Sequence, residues 1–297
     1  MSITNYKHPV HFYFLSTIIP WIFWFIAAHL SHITPSNNIY AVSGGILCLL
    51  GLVSPMVIAF FMMGSDPNLR NDFFHRIFSF KDTKLLYIIT TCFLMLGSIL
   101  LAQAISLLFG HSVDQFSIAN STSFTFGLFP AWFLLFIAPL FEELAWHSYG
   151  TDCLRARFSL FTSSVIFGVF WVLWHLPLGF IKDYYHSNVV ETGWLYSVNF
   201  AVSLFPFVII MNWLYYKTDR NILVPIIFHI TAGLFNEMFL THPDSKVIQT
   251  ILLLVLSIYL VCKDRDFFFN REIETIATSP TPIDVKNNQM TTPCVLR

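Results

Sequence analysis

Ala138-Pro139-Leu140-Phe141-Glu142-Glu143-Leu144-Ala145-Trp146-His147 puts two adjacent carboxylates inside a run that otherwise has the composition of a membrane-embedded helix. Phe126, Leu128, Phe129 and every residue from Ala131 to Ala138 precede the pair without a charge among them. Glu142 and Glu143 therefore enter a region of low dielectric. A charge at the bilayer centre costs from about 2.5 kcal/mol upward on insertion scales, so such residues face a bundle interior and mark function. The pair fixes the fold class and says where the chemistry should be sought.

Composition agrees. Of 297 residues, 56% are hydrophobic, 18% aromatic and 11% charged, whereas a soluble domain carries roughly 25% charged residues. The expected fold is all-α: a polytopic membrane bundle of about eight transmembrane helices, at about 20 apolar residues per span. Residues 1–123 supply three spans, with a short helix on the membrane surface near 64–84, where Phe73, Phe74, Ile77, Phe78 and Phe80 interleave with Arg70, Arg76, Lys81 and Lys84. Residues 124–240 supply spans four to seven: from near Phe124 to Leu154 or Arg155, Phe158 to Ile181, Trp194 to Tyr216, and Ile222 to Leu240. Residues 241–262 hold the eighth, and the Thr/Pro/Asn-rich 263–297 reads as a disordered tail.

The positive residues set an orientation. Lys7, Arg70, Arg76, Lys81, Lys84, Arg155, Arg157, Lys217, Arg220, Lys263, Arg265, Arg271, Lys286 and Arg297 fall on one side of these spans, and only Lys182 and Lys246 on the other. Both termini are then cytoplasmic. No nucleic-acid partner is expected; membrane lipids are the expected surroundings. Cys48, Cys92, Cys153, Cys262 and Cys294 have neither CxxC nor metal-ligand spacing.

Further polar residues lie at a matching depth. At 1.5 Å of rise per residue, Glu142 is roughly 18 to 20 Å from Arg155, and His175 roughly 22 to 24 Å from the start of its span. His229 and Asn236, on the seventh span, bracket the same layer. Glu143 and His147 are spaced i, i+4 and share a helix face, while Glu142 points about 100° away. His229, Gly233 and Asn236 share another face, where Gly233 would let a backbone or substrate come close. Trp146, Trp171 and Trp174 read as packing or cavity lining. His8, His11, His29, His32, His111, His186 and His242 sit in or near loops or span ends, and no chemistry is assigned to them.

Glu142-Glu143-Leu-Ala-Trp-His147, Trp171-Val-Leu-Trp-His175-Leu-Pro and Val224-Pro-Ile-Ile-Phe-His229 together resemble the CAAX protease and bacteriocin-processing (CPBP, or Abi) family of intramembrane proteases. The resemblance implies that Glu142 and His175 activate water and that His229 stabilises the oxyanion. It also implies a bacterial cell membrane as the location. Two positions depart from the family pattern: its Arg is His147 here, and its Asn falls on Gly233, leaving Asn236 as the nearby amide. Trp171 stands where the family has Phe.

The chemistry can be argued from the residues as well. Amide hydrolysis needs an activated water, a group to move protons, and donors where charge develops on the carbonyl oxygen. Glu142, Glu143, His175 and His229 are the candidate catalytic residues, with His147, Asn236, Trp171 and Gly233 supporting. Glu142, His175 and His229 also form a His2Glu set of the kind that holds a catalytic zinc. The expected activity is an intramembrane endopeptidase acting on a membrane-associated or lipid-modified peptide or protein. The alternatives are a catalytically degenerate scaffold or bacteriocin self-immunity factor of the same fold, and a proton-coupled transporter.

Overall fold

The computed structural model describes residues 3–35, 37–78, 83–122 and 130–271. The expected start of span four near Phe124, together with Phe80, Lys81, Cys294 and most of the 263–297 tail, lies outside them.

In chain order the helices are α1 (Pro9–Ser31), α2 (Asn38–Gly64), α3 (Pro67–Phe78), α4 (Leu85–Ser106), α5 (Ala131–Ala145), α6 (Thr151–Arg155), α7 (Leu160–Trp174), α8 (Tyr185–Thr192), α9 (Trp194–Lys217), α10 (Leu223–Met238), α11 (Pro243–Lys263) and α12 (Arg265–Phe269). Among the described residues, six passes are long and apolar enough to cross a membrane: α1, α2, α9, α11, and α4 and α7 with the short 3-10 turns that follow them. The shorter apolar α10 is a seventh. The eighth joins α5 to α6 through a π-turn, Trp146–Gly150. The polytopic helical bundle expected from composition is what forms.

Several local differences have physical causes. Span five stops being α-helical at Trp174, and 176–180 continues as a 3-10 turn, because Pro177 has no N–H to give the helix and disfavours helical geometry at Leu176 before it. His175 thereby sits at a helix end instead of mid-span. A short helix, α8, occupies the stretch between spans five and six, and α12 gives the first residues of the expected tail helical structure.

Packing runs α1 on α2, α2 on α5, α5 on α10, α7 on α9, and α11 on both α4 and α9. Trp24, Trp146, Trp171 and Trp174 are buried at the centre. The Trp24 indole lies so close over α2 that a Cβ at Gly51 would sit 2.3 Å from its Nε1, and that N–H donates to the Cys48 carbonyl at 3.1 Å. Glycine is therefore required at 51. Outward-facing Val10, Phe14, Phe61, Phe93, Val255 and Tyr259 are exposed, as a lipid-facing surface requires.

The surface-helix expectation for 64–84 fails at Arg76, which is 2% exposed. Its Nη1 donates to the His147 carbonyl at 3.0 Å and its Nη2 to the Ser148 carbonyl at 2.8 Å. A π-turn shifts the helical hydrogen-bond register, and the carbonyls it disturbs need donors. Arg76 supplies them from α3. The guanidinium is held in turn by Asp72 at 2.9 Å and Asp152 at 3.0 Å, and Arg220 also bonds both carboxylates, at 2.8 and 2.6 Å. Burial alone would raise the Asp72 carboxyl, yet Arg76 and Arg220 beside it hold it below its ordinary value.

Two outcomes follow. Removing one member of a buried ion network leaves uncompensated charge, so Arg76→Ala should cost about 3–5 kcal/mol, read as a lowered midpoint of thermal unfolding in detergent. Because the folded-state pKa of Asp72 is depressed, the stability it contributes is fully present above its unfolded value of about 3.9 and is lost as pH falls through the folded value. The same melting measurement, run below about pH 4, should show Asp72→Asn less acid-sensitive than the parent.

Candidate active site

The hydrophobic run from Ala131 carries α5 into the bundle until Glu142 and Glu143, both buried, leave it on different faces. Glu142 lines a cavity of about 500 Å³, together with His175, Trp174, His186, Gly233 and Asn236. Glu143 does not line it. The 100° offset between the two carboxylates has given them different surroundings.

Glu143 is enclosed by imidazoles. Its Oε1 takes a hydrogen bond from His229 Nδ1 at 2.8 Å, and its Oε2 one from His147 Nδ1. His147 Nε2 meets Asn212 Oδ1 at 2.9 Å, while Asn212 Nδ2 donates to Ser164 Oγ at 2.9 Å and that hydroxyl donates to the Leu160 carbonyl at 2.9 Å. The chain of donors turns the Asn212 carbonyl toward His147, so both ring nitrogens of His147 lie against oxygens.

Glu142 is organised through Trp171. The indole Nε1–H donates to Glu142 Oε2 at 3.1 Å, the backbone carbonyl of the same residue accepts from His175 Nδ1 at 2.7 Å, and its ring lies edge-on to His229 with centroids 5.2 Å apart. One residue touches all three groups. With Nδ1–H committed to the carbonyl, His175 carries its lone pair on Nε2.

The sequence-derived residues accordingly divide. Glu142, His175, Gly233 and Asn236 line the cavity; Glu143, His147 and Trp171 are buried behind that wall, and the His229 side chain, 18% exposed, sits against Phe207 of the lining with ring centroids 5.5 Å apart. Asn236 Nδ2 is turned toward the Tyr185 hydroxyl at 3.3 Å and Glu237 Oε1 at 3.4 Å. Gly233 is not forced by crowding, since a Cβ there would meet Leu135 Cδ2 at 3.5 Å, an ordinary contact. Among the described residues, the donor atoms of Glu142, His175 and His229 do not converge within 4.8 Å of one another, so as arranged they are not a ready-made zinc set.

Sequence reasoning misses two residues beside the site, Asn212 and His186, and one bond of a residue it names, the Trp171 N–H to Glu142. Asn212, fully buried, was signalled only by being an amide in an apolar span. The indole N–H of Trp171 was passed over as packing. His186, assigned no chemistry because it flanks a loop, stacks on His175 with centroids 5.0 Å apart at 27°. The cavity also reaches Asn188, Thr192, Tyr196, Thr241 and Lys246, so it occupies the half of the bundle opposite the arginine-rich end.

Residues 123–235, which contain Glu142, Glu143, His147, Trp171, His175 and His229, match the family described as Type II CAAX prenyl endopeptidase Rce1-like. Beyond that segment, the chain is 35% identical over 272 residues to the CAAX prenyl protease 2 of Methanococcus maripaludis, covering 91% of this chain and 99% of that one. The protein belongs to the CAAX prenyl endopeptidase family. It is an integral, multi-pass membrane protein and an intramembrane endopeptidase, as the paired glutamates and the two histidine motifs led us to expect.

Within this CAAX endopeptidase, Trp171→Phe isolates one interaction, because it keeps a ring and deletes the N–H to Glu142. A hydrogen bond to a charged group is worth about 1.5–3 kcal/mol. Peptide cleavage in detergent should slow about 10- to 100-fold, and the melting temperature should fall by a few degrees.

Proposed function

We propose that the endopeptidase works through a water held between Glu142 and His175 at the inner end of the cavity, with His229 supporting the oxyanion. The observation that carries this reading is that Glu142 and His175 line one cavity and are both fixed by Trp171. Glu142 takes a proton from the water as its oxygen bonds to the scissile carbonyl carbon, and His175 Nε2 orients that water. Charge developing on the carbonyl oxygen is met by the His229 ring, whose Nδ1 is pinned by Glu143. Glu142 then returns its proton to the departing amine as the C–N bond breaks. Glu143 and His147 act as positioning residues, since neither reaches the cavity.

The substrate that suits the site is a membrane-held peptide or protein segment, with apolar groups beside the scissile bond seated against Leu135, Leu204, Phe207 and Leu253. We place the arginine-rich end and both termini in the cytoplasm, following the positive-residue count. The cavity then opens toward the opposite leaflet or sideways into lipid. A second reading is favoured by the name of the methanococcal relative: a prenylated protein, carrying its lipid on the cytoplasmic leaflet, would need the cavity end turned to that side.

Two experiments separate these statements. Glu142→Gln and His175→Ala should each abolish cleavage of a membrane-bound reporter peptide while membrane insertion and folding persist; full activity in either would end the catalytic assignment of that residue. For orientation, Thr192→Cys and Asp219→Cys can be compared with an impermeant thiol reagent on intact cells, in a background with the native cysteines replaced. Labelling at 192 alone is expected, and labelling at 219 alone would select the prenylated-protein reading.

A further inference from the structure

A second group of ligating side chains lies outside the catalytic cavity, at the rim of its open half. His111 follows α4 just after Gly110, whose φ of 87° turns the chain back on itself. His242 and Asp244 open α11. The three residues come from two distant segments, and among the described residues they are the group of histidine and carboxylate donors that converges within 4.8 Å.

Their spacing is that of ligands more than of hydrogen-bonded partners. His111 Nε2 is 3.4 Å from Asp244 Oδ2, and His242 Nδ1 is 3.5 Å from the same oxygen. Zinc bonds of about 2.0–2.1 Å to nitrogen and oxygen put tetrahedral donors about 3.3–3.4 Å apart. The two imidazoles lie with ring centroids 4.3 Å apart, tilted by 37°, a close approach that a shared cation would stabilise. The other carboxylate oxygen, Asp244 Oδ1, accepts from the Tyr196 hydroxyl at 2.8 Å, so an outer partner already orients Asp244 with Oδ2 toward both rings. His242 and Asp244 are about half exposed, leaving water free to complete the coordination.

We propose that His111, His242 and Asp244 form a divalent transition-metal site, suited to Zn2+ by its two imidazoles and one carboxylate. The site involves none of the proposed catalytic groups. The metal would tie the segment after α4 to the start of α11. Tyr196, Thr241, Pro243 and Lys246 on or beside that start line the catalytic cavity, so the tie would brace the cavity rim. Binding has one local cost: His242 Nδ1 accepts the Asp244 backbone N–H at 3.2 Å as the cap of α11. A metal on Nδ1 takes that lone pair and leaves the N–H to water at a half-exposed helix start.

Tag-free protein, stripped with chelator, should be titrated with Zn2+ by calorimetry and by thermal unfolding. Glu142→Gln should bind zinc at this site as the parent does, with the same rise in melting temperature. His111→Ala and His242→Asn should each weaken that binding at least tenfold; Asn at 242 keeps an acceptor to cap α11, and unchanged melting without zinc certifies the fold. Mg2+ should not compete at equal concentration, since imidazole ligands disfavour it. Equal zinc binding by the parent and by both histidine variants would overturn the proposal, as would no binding at micromolar zinc or equal preference for Mg2+.

Discussion

A carboxylate fully removed from water inside a membrane has to be given partners, and the bonds that Glu143 makes to His147 and His229 meet that need. These bonds join α5 through the π-turn to α10, and the far side of His147 reaches α9 through Asn212. Three spans are thereby fixed by one side chain. Without those partners the cost of the buried charge would favour either a neutral acid or a different packing. The position of His229 beside the cavity wall is a consequence of pairing Glu143.

The π-turn makes the arrangement possible. His147 lies in it and its side chain bonds back to Glu143, while the carbonyls of His147 and Ser148 are satisfied from α3 by Arg76. The Tyr215 hydroxyl donates to the same His147 carbonyl at 2.9 Å. The charged cluster at the arginine-rich end is therefore mechanically continuous with the imidazole that holds Glu143. A site at mid-membrane depth is positioned by an ion network at the membrane edge.

Most of this bundle was legible because hydropathy alone marks spans, and because ionisable residues at span depth are too costly to be incidental. Glu142 and His175 are legible on that basis, Gly233 only from sharing a helix face with His229, and the 100° argument separates the two glutamates from spacing alone. What stayed hidden depended on direction or on partners distant in sequence. Arg76 looks like a membrane-surface residue until α3 is folded back onto the π-turn, and nothing in the local sequence says that it will be. Asn212 and Ser164 are single polar residues in apolar helices, informative only once both meet. Trp171 offered an aromatic ring to the eye and an N–H to the structure. His186 reads as a loop residue because α8, eight residues long and largely polar, is not expected.

The two departures from the family pattern have unequal consequences. His147 keeps a contact with Glu143 through one ring nitrogen and sets the other against the Asn212 carbonyl. Gly233 preserves nothing of an asparagine. The wall there has room for a side chain, with Leu135 at ordinary contact distance, and that room is left to the cavity. Asn236 does not recover the lost amide: it lies three residues further along α10, about 4.5 Å in rise, and its Nδ2 faces Tyr185 and Glu237. On the proposed mechanism the oxyanion then relies more heavily on His229, which is why the anchoring of that ring by Glu143, and of Glu143 by His147, matters more here than it would with a second donor beside it.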